Sequence, residues 1–150
     1  LKHSNKFEIE IENSMVLDLF AGVGSFGIEC LSNKAKYVTF VENYNGVLPI
    51  LEKNLENLEL DKKFEIIDKN IFTELKLAKN NYDIIFLDPP YKDNNIAELI
   101  DKIFEINLLS KNGIIILHRN KKVKEKYSKK FNILEEKTYG VSKILFGNLN

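Results

Sequence analysis

The stretch Met15-Val16-Leu17-Asp18-Leu19-Phe20-Ala21-Gly22-Val23-Gly24-Ser25-Phe26-Gly27 decides the fold. Its first half, 15–20, is an apolar run broken by one acid, the pattern of a buried strand. Its second half is a glycine-rich turn. Phe26, Cys30 and Leu31 then predict a helix over 25–32 with those three near its buried side. Strand, turn and helix in immediate succession open a parallel α/β sheet. Gly22, Gly24 and Gly27 match the dinucleotide-binding pattern, and Glu42 lies where a ribose-binding acid is expected. That pattern reads NAD as readily as S-adenosylmethionine (SAM). Asp18 favours SAM, because a carboxylate there suits the cationic methionine end and would repel a pyrophosphate. The plainer readings are that Asp18 is a structural acid satisfied by loop N–H groups and that Glu42 is a solvated strand end.

Outward from this stretch, strand and helix alternate. Tyr37 to Val41 predicts a second strand ending in Glu42. Val47, Leu48, Leu51, Leu55 and Leu58 predict a helix over 45–58, with Pro49 tolerable only in its first turn. Phe64 to Ile67 reads as a third strand, followed by a short helix through Leu75. Tyr82 to Leu87 reads as a fourth. Ile96, Leu99, Ile100, Ile103 and Phe104 predict a helix, with Asn95 and Glu98 resembling a capping box. Asn112-Gly113 predicts a turn into a fifth strand, 114–117. Segment 123–130 is charged and reads as helical. Two late strands, 131–138 and 141–146, meet at Tyr139-Gly140. On the N-terminal side, 7–11 alternates and predicts a short strand. The expected architecture is a three-layer Rossmann-like sheet of seven mostly parallel strands with one antiparallel strand near the C-terminus, in one domain spanning 1–150. In such a sheet ligands bind beyond the carboxyl ends of the strands where their order reverses, which the first and fourth strands are expected to flank.

The fourth strand ends abruptly in Asp88-Pro89-Pro90-Tyr91. Two prolines stiffen the loop and push the residue before each out of the helical region. An acid sits on one side of this elbow and an aromatic ring on the other. A carboxylate and a carbonyl can accept N–H bonds while a ring covers a flat face, and an unstacked nucleobase is held by that combination. The plainer reading is a stiff turn capping a strand.

With 44% hydrophobic and 29% charged residues and a net charge of zero over 150 residues, the composition is that of a globular protein without a uniformly basic coat. No apolar run is long enough to span a bilayer, and no signal peptide is visible. Cys30 is the only cysteine, so no internal disulfide can form, and a reducing cytoplasm is expected. His3 and His118 are far apart in sequence, and no metal site is expected. Segment 119–130 carries seven basic residues against one acid. Arg119, Lys121, Lys122 and Lys124 are candidate nucleic-acid contacts, against the alternative of an ordinary solvated lysine-rich helix. Cys30 reads as a small buried hydrophobe.

Asp18-Leu19-Phe20-Ala21-Gly22-Val23-Gly24-Ser25-Phe26-Gly27-Ile28-Glu29 and Leu87-Asp88-Pro89-Pro90-Tyr91 resemble the class I SAM-dependent methyltransferases. With the late Tyr139-Gly140 and Ile144-Leu145-Phe146, the chain resembles more narrowly the RsmD family, which methylates the exocyclic N2 amine of a guanine in 16S rRNA. The resemblance runs through nearly the whole chain. It implies that Asp18, Phe20, Ala21, Gly22 and Gly24 hold the methionine part of SAM, that Glu42 holds the ribose, and that Asn43 lies beside the adenine. Asn70 best matches a position near the adenine amino group where the family often has an acid. Asp88, Pro89, Pro90 and Tyr91 would be catalytic, with Asp88 also near the cofactor. His118 stands where an acid is common in the family, and its role is open. The resemblance further implies S-adenosylhomocysteine as product, no metal, 16S rRNA as partner, free or within the small ribosomal subunit, no membrane, and a monomer. Family members usually begin with a basic segment that this sequence lacks, so a shortened N-terminus is expected. The alternatives are a DNA adenine or cytosine amino-methyltransferase, a NAD-dependent oxidoreductase, and a non-catalytic SAM-fold RNA-binding subunit.

Overall fold

The structure is a computed structural model and describes residues 9–58, 62–77 and 81–150. Seven strands form one mostly parallel sheet. The chain divides into two compact units, 1–76 and 77–150.

The first unit contains β1 (Met15–Leu19), α1 (Ser25–Ser32), β2 (Tyr37–Val41), α2 (Leu48–Glu56) and β3 (Phe64–Ile67). Its strands run in the order β3-β2-β1 and are all parallel, with Asp18 opposite Phe40 and Phe40 opposite Ile66. Val16, Leu17, Leu19, Val38 and Phe40 are buried, which is why these strands read as continuous apolar runs. Leu48, Leu51 and Leu55 form the buried stripe of α2. That helix begins later than its apolar spacing predicts. Pro49 can sit only in the first turn, and the N–H groups of Val47 and Leu48 close a tight turn on the Tyr44 carbonyl. The short helix expected before Leu75 does not form. Ile71 to Thr73 is a turn, started by the Asn70 side chain accepting the Phe72 N–H at 2.9 Å. The strand expected over 7–11 lies partly outside the described residues, and 9–11 has no regular structure.

The second unit contains β4 (Tyr82–Leu87), α3 (Ile96–Glu105), β5 (Leu109–Asn120), β6 (Phe131–Tyr139) and β7 (Ser142–Leu149), with strand order β4-β5-β7-β6. β4 and β5 are parallel, and β7 runs against both β5 and β6, the one antiparallel strand that was expected. Ile96, Leu99, Ile100 and Ile103 are the buried stripe of α3. Asn95 is its N-cap residue but makes no side-chain cap bond, so the expected capping box is absent. β5 is longer than expected. Asn112-Gly113 is not a turn before the strand but part of a bulge within it, because Tyr82 pairs with Leu109 and Ile84 already pairs with Ile114. Gly140, with φ of 53°, turns β6 into β7.

Segment 123–130 is not a helix. Its single acid, Glu125, is drawn inward to pair with Arg119, and the Lys143 ammonium donates to the Val123 carbonyl at 2.6 Å. Both contacts hold the segment against β5 and β7 in an irregular path.

Candidate active site

The glycine turn of the first unit is fixed from three directions. The Ala21 N–H donates to the Val41 carbonyl at 3.0 Å, at the end of β2. Glu42 accepts the Gly22 N–H at 2.7 Å with one carboxylate oxygen and the Asn43 and Tyr44 N–H groups at 3.1 and 3.0 Å with the other. The Asn54 side chain, on α2, donates to the Val23 carbonyl at 2.9 Å. Glu42 therefore braces two loops at once, and the reading of it as a merely solvated strand end does not hold.

The backbone of this turn alternates in hand. Phe20, Gly22 and Gly24 all have positive φ, at 60°, 58° and 90°. Phe20 is the costly member, because a side chain disfavours that region. Its ring packs against Phe72 at 5.6 Å between centroids. A methyl added at Gly22 would meet nothing within 4 Å, so the space above this glycine is open to a ligand. A methyl added at Gly27 would fall 2.3 Å from the buried Phe40 ring, so that glycine serves helix–strand contact instead.

Asp18 is 1% exposed and accepts the Gly27 N–H at 3.1 Å. This caps the first turn of α1, whose own N-cap residue, Gly24, has no side chain to offer. A carboxylate at a helix N-terminus is also favoured by the helix dipole. In this geometry Asp18 has the structural role that its sequence also allowed. Cys30 is buried in α1, and its thiol is pushed up to about 12, first by burial and then by the Asp18 charge. Asn43 is exposed beside Glu42, and Asn70 is exposed with its side chain engaged in the turn that carries Phe72.

In the second unit the elbow leaves β4 with Pro89 buried and with Asp88, Pro90 and Tyr91 exposed, Tyr91 at 67%. The elbow is held by Arg119. That guanidinium is 2% exposed and donates to the Pro90 carbonyl at 3.3 Å and the Asp93 carbonyl at 2.7 Å. It also pairs bidentately with Glu125, both contacts at 3.0 Å. Arg119, expected as an RNA contact, is thus an internal anchor with no exposed face, which corrects that expectation. Lys121, Lys122 and Lys124 are exposed.

His118 Nδ1 lies 2.8 Å from Asp88 Oδ1. The parallel register explains the encounter: Leu87 pairs with Leu117, so the next residue of each strand falls side by side. Sequence reading missed this pair and the Arg119 anchor. A signal was present for the anchor alone: a lone arginine in a lysine-rich chain suits a site where a planar fork is needed. Among the described residues, no cluster of three or more potential metal ligands occurs, and no helix is long and apolar enough to cross a membrane.

A mostly parallel set of strands, a strand–glycine turn–helix and an Asp-Pro-Pro-Tyr elbow define a Rossmann-like class I methyltransferase fold. Residues 3–148 match the family model described as Conserved hypothetical protein 95. The chain belongs to that family, the RsmD family. It is 37% identical over 134 residues to the ribosomal RNA small subunit methyltransferase D of Haemophilus influenzae, covering 87% of this chain and 69% of that protein. It is also 37% identical over 113 residues to the protein of that name from Buchnera aphidicola (Acyrthosiphon pisum), covering 75% of this chain and 59% of the relative. A crystal structure from Haemophilus influenzae, of a protein provisionally named a methylase, superposes with a TM-score of 0.81 at 36% identity, covering 93% of this chain and 89% of that one.

Proposed function

We propose that this chain is the catalytic domain of a SAM-dependent methyltransferase that acts on the exocyclic N2 amine of a guanine in 16S rRNA. Membership of a family with relatives named ribosomal RNA small subunit methyltransferase D supports the reaction class and the RNA. The observation that carries the reading on this chain is the elbow: an acid and an aromatic ring, both exposed, on a loop stiffened by two prolines and anchored from beneath by Arg119.

The first unit fits the cofactor. Gly22 leaves open space for close approach, and Phe20, Ala21 and Gly24 shape the turn around it. Glu42 would accept the ribose hydroxyls, with Asn43 and Asn70 toward the adenine. Asp18 would favour the cationic methionine end through its charge while capping α1. When bound, SAM supplies a methyl group already activated by its sulfonium, so the reaction needs no metal.

The chain's own work is to make a poor nucleophile react. A guanine amine's lone pair is delocalised into its ring. Asp88 and the Pro89 carbonyl accept the two amine N–H bonds and aim the lone pair. Tyr91 stacks on the base and fixes its plane, and Pro90 keeps the elbow stiff. The gain is mostly positioning. As the N–C bond forms and the methyl's bond to sulfur breaks, leaving the electron pair on the neutral thioether product, the amine becomes acidic and its proton passes to Asp88 or water. Lys121, Lys122 and Lys124 would meet RNA phosphates, and the work would be done by a monomer in the cytoplasm.

The test is transfer of labelled methyl from SAM to unmethylated small-subunit rRNA, free and within the subunit, by the natural full-length protein. N2-methylguanosine at one site is the expected product. Transfer to DNA alone, or stabilisation by NAD and not by SAM, would overturn the reading.

A further inference from the structure

We infer that His118 is a positioning residue that fixes the Asp88 carboxylate for the incoming amine. The inference rests on the reading of Asp88 as the acid that accepts the amine. Three observations carry it. His118 Nδ1 is 2.8 Å from Asp88 Oδ1, within the range of a charge-assisted bond. The pairing of Leu87 with Leu117 holds the two backbones in fixed register, so the contact is built into the sheet and not into a loose loop. Both side chains remain partly open, His118 at 34% and Asp88 at 47%, so the pair is reachable by substrate.

The chemistry follows from geometry. An isolated carboxylate at the tip of a strand turns about its own side-chain torsions. An Nδ1–H donated to Oδ1 stops that rotation and occupies one oxygen. The other oxygen is left to accept from the base amine. His118 itself touches neither methyl nor base in this scheme.

The test uses the full-length protein and three variants. His118→Asn places an amide N–H near the Nδ1 position. His118→Leu keeps the branching at Cγ and removes the donor. Asp88→Ala is the reference. With unmethylated small ribosomal subunits and SAM, His118→Leu should lower kcat by about tenfold or more through misplacement of the acid, with KM for both substrates little changed. His118→Asn should restore most of that loss. A second readout needs no turnover. In 15N NMR the His118→Leu spectrum identifies the His118 ring by its absence. Its Nδ1 should carry the proton in the parent protein and lose it to Nε2 in Asp88→Ala. Unchanged kcat in His118→Leu, an asparagine variant as slow as the leucine one, or a ring tautomer indifferent to Asp88 would each overturn the inference. If Asp88→Ala itself keeps turnover, the reading of the elbow falls and takes this inference with it. Loss of turnover in Asp88→Ala but not in His118→Leu overturns the positioning role alone.

Discussion

The guanidinium of Arg119 and the carboxylate of Glu125 form an ion pair at 3.0 Å with side chains only 1% and 9% exposed. The pair is completed by the Tyr127 hydroxyl donating to Glu125 at 2.6 Å, and the Tyr127 ionisation is raised by burial and by that carboxylate. Removing one partner strands a buried charge. Arg119→Ala should therefore cost about 3–5 kcal/mol of stability. Arg119→Met with Glu125→Leu should cost less than Arg119→Ala, since neither charge is then left alone. Urea unfolding midpoints at constant slope check both.

Gly22 and Gly27 sit five residues apart and should fail in different ways. Gly27→Ala drives a methyl into the Phe40 ring and should cost about 1–3 kcal/mol, as overpacking does. Gly22→Ala meets no protein atom, so its stability cost is limited to the left-handed backbone, about 1–2 kcal/mol. Its methyl enters the space assigned to the cofactor. Calorimetric titration with SAM should show the larger affinity loss in Gly22→Ala.

Glu42 accepts three backbone N–H groups from two loops. Glu42→Gln keeps the shape and removes the charge and one acceptor. Stability should fall by about 1–3 kcal/mol, the worth of hydrogen bonds to an ionised group. SAM affinity should fall with it, because the same carboxylate shapes the glycine turn. Thermal unfolding with and without SAM separates the two effects.

Cys30 gives a pH dependence of defined sign. Its thiol is raised from an ordinary 9.0 to about 12, first by burial. Below the lower value the thiol is neutral in both states, and the stabilisation is fully present. As pH rises through that window the unfolded chain ionises its thiol while the folded chain does not, so stability falls. Cys30→Ala should lose less stability than the parent between those pH values. At neutral pH iodoacetamide should label Cys30 only after denaturant is added.

The exposed lysines make a separable prediction. Neutralising Lys121, Lys122 and Lys124 should weaken RNA binding without regard to sequence. It should also flatten the salt dependence by roughly one unit of slope for each phosphate that a lysine had been neutralising. An unchanged slope in filter binding would remove these lysines from the RNA surface.

The parallel strands were legible because each is an apolar run closed by a polar residue, a glycine or a proline. Met15 to Leu19, Tyr37 to Val41 and Tyr82 to Leu87 begin and end within a residue of expectation. The glycine turn and the elbow were legible because glycine favours a positive φ and proline stiffens a loop. Two of the failures share a cause. Segment 123–130 has helical composition, but the Arg119–Glu125 pair outweighs propensity. Asn112-Gly113 has turn chemistry, but it sits as a bulge in a strand paired on both sides. Asn95 and Glu98 have capping-box spacing without the cap bond. In the first two cases tertiary pairing decided, and local spacing carries no record of it. Asp88 and His118 are thirty residues apart and meet only through strand register.

Arg119 grips the elbow by the carbonyls of Pro90 and Asp93, which any residue at those positions would supply. The anchor therefore does not act through the Tyr91 side chain, which stays 67% exposed. A change at Tyr91 alters the surface presented to a base, while the anchor beneath stays as it is. Such a loop is a durable mount with a replaceable face.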